Sequence, residues 1–257
     1  MSRILSIAIN TYRESVRSKI LYALLFFAVS VVLISSIFGS VTIGDRVKVV
    51  KDFSLFSMSF FCVAYAVIAG SSLLYKELKG RTIFNILAKP VKRSDFIVGK
   101  YFGMLLTVVL LQVLMTTALQ IFLVLLEFKI DYLIFYAAYS IFLQLSIVCA
   151  YTIFFSSIVV TPLLSGAFAF GIFLAGRSSA YILSLLQSVS HSKVLVFLLK
   201  FVYSFVPHLD YIDLSNQVVY SKNTPIEQVA YASVYSLAYV AILLLLSVVF
   251  FERKEFK

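Results

Sequence analysis

Apolar residues along this chain fall into long blocks rather than short alternations. Six runs, at about 21–40, 54–75, 101–126, 132–155, 161–181 and 229–251, each reach the roughly 20 residues that an α-helix needs to cross a hydrocarbon core. Between them lie a short loop at 41–53, a tight turn at 127–131 and another near 156–160. A basic polar stretch, 76–100, and a long segment, 182–228, complete the layout. The pattern predicts an all-α polytopic membrane protein with six transmembrane helices. No internal repeat or low-complexity linker divides the chain, so 1–257 reads as a single transmembrane domain.

Composition agrees with the blocks. Hydrophobic residues make up 61% of the chain and charged residues 13%, with a mean hydropathy of +1.01. A soluble domain of 257 residues needs far more polar surface. The net charge of +10 clusters at the ends of apolar runs instead of along one face, which points to lipid headgroups and orientation rather than nucleic acid. Cys62 and Cys149 sit inside apolar runs, where a thiol behaves as a small hydrophobe. The first 20 residues lack the features of a cleaved secretory signal, so the N-terminus is expected to stay on the mature chain.

The charges also set the expected orientation. The stretch 76–100 carries seven basic residues (Lys76, Lys79, Arg81, Lys89, Lys92, Arg93, Lys100) against Glu77 and Asp95, a net of +5. With both termini on the same side as this island, that side holds 14 Lys and Arg and the other side 8. The positive-inside rule then places both termini in the cytoplasm. A seventh span over 182–206 competes with this count. It would put Lys200 deep in lipid and move the basic C-terminus outside, and both count against it.

Four segments suggest mechanism. Residues 2–19 form an amphipathic helix, with Ile4, Leu5, Ala8, Ile9, Tyr12 and Val16 on one face and Arg3, Asn10, Arg13, Glu14 and Arg17 on the other. It is expected to lie in the headgroup plane, as an anchor alone or also as a partner contact. In the basic island, Glu77 and Arg81 have a favourable i, i+4 spacing, consistent with a short helix over 81–88 whose apolar face is Ile83, Ile86 and Leu87. Lys89-Pro90 would end it, Ser94 would cap the next span, and Asp95 would complement its dipole. The island serves either to receive a soluble partner or simply to stop translocation. In the fifth span, Ala167, Gly171 and Ala175 recur every four residues as a small-residue stripe, for packing within the chain or against another subunit. Residues 193–206, with Lys193, Lys200 and Ser204 on one side, would lie flat or re-enter at the outer surface.

Catalytic chemistry has few candidates. Gly99-Lys100 lacks the earlier Gly and the following Ser or Thr of a phosphate-cradling loop. His191 and His208 have no second ligand at helical spacing, and Asp210 and Asp213 read as a solvated loop. The near absence of charges inside the spans argues against ion-coupled transport.

Taken together, Lys76-Glu77, Arg81-Thr82, Ile86-Leu87, Lys89-Pro90, Arg93 and Gly99-Lys100-Tyr101 resemble the loop after the second span of ATP-binding-cassette (ABC) export permeases of the second type. The opening Ala8, Thr11, Arg13-Glu14, Arg17 and Lys19-Ile20-Leu21-Tyr22, and Thr42, Gly44, Lys48-Val49 and Asp52, are similar to that family as well. In style the chain is nearest to permeases of copper-enzyme maturation and gliding motility. Pro207-His208-Leu209 departs from the family's Pro-Asn-Leu.

The resemblance implies a permease in a prokaryotic cytoplasmic membrane, paired with a second copy and driven by two cytoplasmic ABC ATPase subunits that carry the ATP and magnesium. It implies no cofactor, metal or catalytic residue on this chain. The N-terminal helix would be the connecting helix and 81–95 would contain the coupling helix, with Glu77, Arg81, Ile83, Ile86, Leu87 and Arg93 at the ATPase contact. The stretch 182–206 would match outer-surface helices before the last span. The competing classes are a channel or carrier without ATPases and a membrane-embedded enzyme. Apolar pathway walls favour lipid-like cargo or a mechanical role.

Overall fold

The computed structural model describes residues 3–41, 45–79, 92–159, 161–188, 193–220 and 226–253. Within them the chain is helical: α1 Arg3–Val16, α2 Lys19–Val41, α3 Arg46–Lys79, α4 Arg93–Glu127, α5 Leu133–Ile158 and α6 Pro162–Arg177. The rest comprises α7 Ser179–Ser188, α8 Lys193–Phe205, α9 Leu209–Ile212, α10 Ser215–Val219 and α11 Ile226–Glu252. Among the described residues there is no strand.

Four helices, α3, α4, α5 and α11, are long and apolar enough to cross a membrane alone. Two bent pairs, α1–α2 at 62° and α6–α7 at 60°, raise the number to as many as six. The fold is therefore that of a polytopic all-α membrane protein. Helix α8 is apolar but only 13 residues long, about 20 Å at 1.5 Å per residue, which is too short for a seventh span.

The long helices alternate in direction between two ends. The terminal end holds α1, the close of α3, the start of α4 and the close of α11. The opposite end holds the start of α3, the α4–α5 turn and helices α7 to α10. Helix α5 runs through the middle, packed against α3, α4, α6 and α11. It is buried on nearly every face, and the small side chains of Ala137, Ser140, Cys149, Ala150, Ser156 and Ser157 let its neighbours come close. Their hydroxyls are satisfied locally, as in Ser140 Oγ to Ala137 O at 2.9 Å, or across helices, as in Ser156 Oγ to Ser71 O at 3.0 Å. In an apolar setting an unpaired hydroxyl would be costly, so this pairing is what permits serines in the central span.

Three boundaries differ from the sequence pattern, each for a physical reason. The expected loop 41–53 is helical from Arg46. Its charges are matched, Lys48 to Asp45 at 2.5 Å and Lys51 to Asp131 at 2.5 Å, so α3 extends through polar residues. The fifth span stops at Arg177 instead of 181. It is 16 residues long, starts on Pro162 and turns at Ser178, whose N–H bonds back to Leu174 and Ala175 carbonyls. Ser94 does not cap α4: Lys92 holds that place with extended backbone (φ −71°, ψ 147°) and no side-chain bond, and Asp95 lies in the first turn as expected.

Candidate coupling junction and the opposite chamber

At the terminal end, two separate parts of the chain, α11 and α1, are fastened to the first three turns of α4. Arg93 reaches the last turn of α11, where its Nη1 donates to the carbonyls of Phe251 at 3.2 Å and Glu252 at 2.8 Å. Those carbonyls lack helical partners and carry the partial negative charge of a helix C-terminus, so a guanidinium is well matched to them. One turn on, Phe96 stacks on Phe251 with centroids 5.8 Å apart. Lys100 is only 1% exposed and sits 5.8 Å from the Phe96 ring centre. It therefore belongs to the packed junction, not to the solvated basic loop that the sequence suggests.

Helix α1 meets α4 by close approach. A Cβ on Gly99 would lie 2.8 Å from Ile7 Cβ and 3.2 Å from the Ile4 carbonyl. On Gly103 it would lie 2.5 Å from Thr11 Cβ and 2.7 Å from the Ala8 carbonyl. One turn along α1 thus moves the contact one turn along α4. The buried stripe of α1 is Ala8, Thr11 and Ser15, while Leu5 is 44% exposed. The face that docks is the small-residue face, displaced from the large apolar face read off the sequence. Tyr65 of α3 adds a hydroxyl bond to the Ser15 carbonyl at 3.4 Å.

Of the residues singled out for partner contact, Arg93 is in this junction. Glu77 lies in the last turns of α3. Arg81, Ile83, Ile86 and Leu87 lie outside the described residues. The small-residue stripe of α6 faces away from its own bundle: Ala167 and Gly171 are exposed, Ala175 is half-buried, and a Cβ on Gly171 would meet nothing within 4 Å. Ser165, Gly166, Ala169 and Phe173 form the face packed inward.

The opposite end is held by side-chain chemistry. Arg177, at the close of α6, pairs with Asp213 at 2.6 Å and donates to Gln144 Oε1 of α5 at 3.2 Å. Asp213 also accepts the Ser215 N–H at 3.0 Å, which ties α10 to the pair. Asp213 is therefore a buried structural group, 7% exposed at its side chain, and not part of the solvated loop expected. Beside it, α7, α9 and the first turns of α11 enclose a cavity of about 260 Å³ lined by Tyr203, His208, Asp210, Tyr211, Tyr231 and Tyr235, among others. Gly176 lets the 207–209 turn sit against α6, since a Cβ there would lie 2.6 Å from the Pro207 carbonyl. Burial lowers the His208 pKa, which favours the neutral ring. Burial and, secondarily, the nearby Asp213 raise that of Asp210.

The sequence comparison now bears on these two ends. A family model described as ABC-2 family transporter protein matches residues 5–256. The chain belongs to the ABC-2 transporter family. No curated protein matches the sequence. As an ABC-2 permease it is a transport subunit rather than an enzyme, of a family that associates with ABC ATPases. The junction of this permease includes residues that sequence reasoning passed over. Gly99 figures in the sequence reading only in the rejected phosphate loop and in the family motif, and Gly103 not at all, yet their i, i+4 spacing is a usable signal for helix docking. The Arg177–Asp213 pair left no local signal at all.

Proposed function

We propose that this ABC-2 permease is the membrane-spanning subunit of an exporter, driven by separate ATPase subunits that grip its terminal end. The observation that carries the reading is the junction: α1, the start of α4 and the end of α11 are locked together where the basic island enters α4. A push on the segment before Arg93 would move all three as a unit. In this reading both termini and the island are cytoplasmic, in accord with the basic asymmetry, and the spans number six. Ile83, Ile86 and Leu87 make the apolar contact with the ATPase, while Glu77, Arg81 and Arg93 flank it. ATP and magnesium are handled by the partner chains.

A second permease copy completes the unit. One bundle with apolar spans offers no polar path of its own, and the stripe at Ala167, Gly171 and Ala175 is not consumed by packing inside the chain. Ala167 also borders a shallow apolar groove between α3 and α6, with Phe60 and Ile68 across from it, where another helix could seat.

The test is Ile86→Asp in the intact membrane complex. An unpaired carboxylate in an apolar contact costs about 3–5 kcal/mol, so the ATPase subunits should fail to co-purify while the permease still inserts. Full recovery of ATPase with unchanged transport would overturn the placement. A working permease purified with no ATPase would instead favour a channel or carrier.

A further inference from the structure

The chamber at the opposite end has a chemistry that neither helix packing nor coupling uses. Four tyrosines line it, from three parts of the fold: Tyr203 in α8, Tyr211 in α9, and Tyr231 and Tyr235 one turn apart on α11. The Tyr211 and Tyr231 rings stand at 81° with centroids 5.6 Å apart, forming two adjoining walls. Tyr235 follows Tyr231 at 6.4 Å in a stacked arrangement. Tyr203 lies against His208, their rings 4.3 Å apart.

Asp210 is the one carboxylate among the described lining residues. No Lys or Arg is among the described lining residues, and Arg177, close enough to act on Asp210, is taken up by Asp213 and Gln144. Asp210 lines the space without an ion-pair partner of its own among the described residues. His208, whose backbone N–H bonds to Tyr235 Oη at 3.1 Å, has a buried Nδ1 with no hydrogen bond. Its ring is held toward neutrality by burial, so it adds no opposing charge.

We propose that this chamber binds an alkylated ammonium group, surrounded by the rings of Tyr203, Tyr211, Tyr231 and Tyr235 with Asp210 as its counter-charge. Aromatic faces attract cations through their quadrupole, and several rings around one carboxylate make a cage for a methylated nitrogen. A primary ammonium would need three acceptors for its three donors. Here one carboxylate sits in a lining that is mostly carbon, the tyrosine rings with Ala180, Leu183, Ile212 and Ala232, and such a wall suits methyl groups better than N–H donors. Its volume, about 260 Å³, lies below the range of about 300–1,000 Å³ typical of drug-sized ligand sites, so a headgroup-sized ligand fits. Tyr211 and Tyr231 are more than half exposed, at 55% and 59%, which leaves the cage open on one side. That ligand is therefore either a choline-type lipid headgroup or a free quaternary ammonium compound.

The full-length chain, in a detergent without a choline headgroup, is titrated by calorimetry with choline and with 3,3-dimethylbutan-1-ol, which has the same shape and no charge. Choline should bind at least about tenfold more tightly than the alcohol. Asp210→Asn and Tyr211→Leu should each weaken choline about tenfold, while Tyr211→Phe keeps the ring and the affinity. Asp210 and Tyr211 are exposed at the rim, and unchanged melting temperatures of the variants confirm that the fold is retained. In nanodiscs of mixed phosphatidylcholine and phosphatidylglycerol, enrichment of phosphatidylcholine that disappears in Asp210→Asn assigns the lipid as ligand. Choline binding without such enrichment assigns a free ammonium compound. Equal affinity for the uncharged alcohol overturns the proposal. So does choline affinity unmoved by both variants, or neither choline binding nor lipid enrichment; in each of these cases the tyrosines are only an interfacial belt.

Discussion

The two ends of this permease are built on opposite principles. At the terminal end, helices touch backbone to backbone: Gly99 and Gly103 admit α1, and Arg93 sits on helix carbonyls. At the opposite end, short helices are pinned by an ion pair and ringed by tyrosines, and space is left between them. Close backbone contact has little slack, because any added atom must displace a main chain. A polar network around a cavity can rearrange one side chain at a time. The first end is suited to passing on a displacement and the second to accommodating a guest.

The sharpest way to break the contrast is at the opposite end. Asp213→Ala removes the buried member of the pair and leaves Arg177, 31% exposed, with Gln144 alone, at a cost of about 2–3 kcal/mol. The melting temperature in detergent should fall strongly, and Arg177→Met combined with Asp213→Leu should restore much of it. A loss no greater than that of an exposed substitution would show that the pair is dispensable.

Next in size is Gly103→Leu. Its Cβ alone would already lie 2.5 Å from Thr11, so α1 must leave its seat, at about 1–3 kcal/mol. Hydrogen exchange and proteolysis of α1 should then accelerate while the last turn of α11 keeps its protection. Unchanged protection of α1 would mean the glycines are not what seats it.

Arg93→Ala should be milder. Two charge-assisted bonds to the end of α11 disappear, worth about 1–2 kcal/mol in a partly exposed site. The expected signature is faster proteolysis or hydrogen exchange of the last turn of α11, with the opposite end unaffected. Equal change at both ends would erase the contrast.

Gly171→Leu should have the smallest effect on the single chain, close to zero, since nothing within 4 Å opposes the new side chain. Its effect should appear in assembly: crosslinking of the intact membrane complex should lose the paired species if two copies meet at this stripe. Destabilisation of the monomer itself would place α6 differently from the structure.

The legibility of this fold follows the range of the signal. Apolar blocks placed α2 to α6 and α11 to within a turn or so at most boundaries, because crossing lipid demands a continuous run of apolar residues. The misplaced boundaries, at Arg46, Arg93 and Ser178, are those where distant partners bear on the chain: Asp131 beside Lys51, the end of α11 against Arg93, and the 207–209 turn against Gly176. The amphipathic character of α1 was readable. Which face docks was not, because small residues count as neutral in any hydropathy pattern while determining how closely backbones approach.

By itself, the sequence determined that this chain crosses membranes as helices, that its charge is concentrated on one end, and that its likeness to ABC-2 permeases runs from the opening helix to the start of the third long apolar run. These are properties of short windows, set by the lipid solvent and by helical periodicity. Only the tertiary structure decided that Arg177 and Asp213 pair, that Lys100 is buried, that the stripe of α6 faces outward and that four tyrosines close on one chamber. Those facts depend on which residues, distant in the chain, arrive at the same point in space, and no local pattern records the angle at which two helices cross.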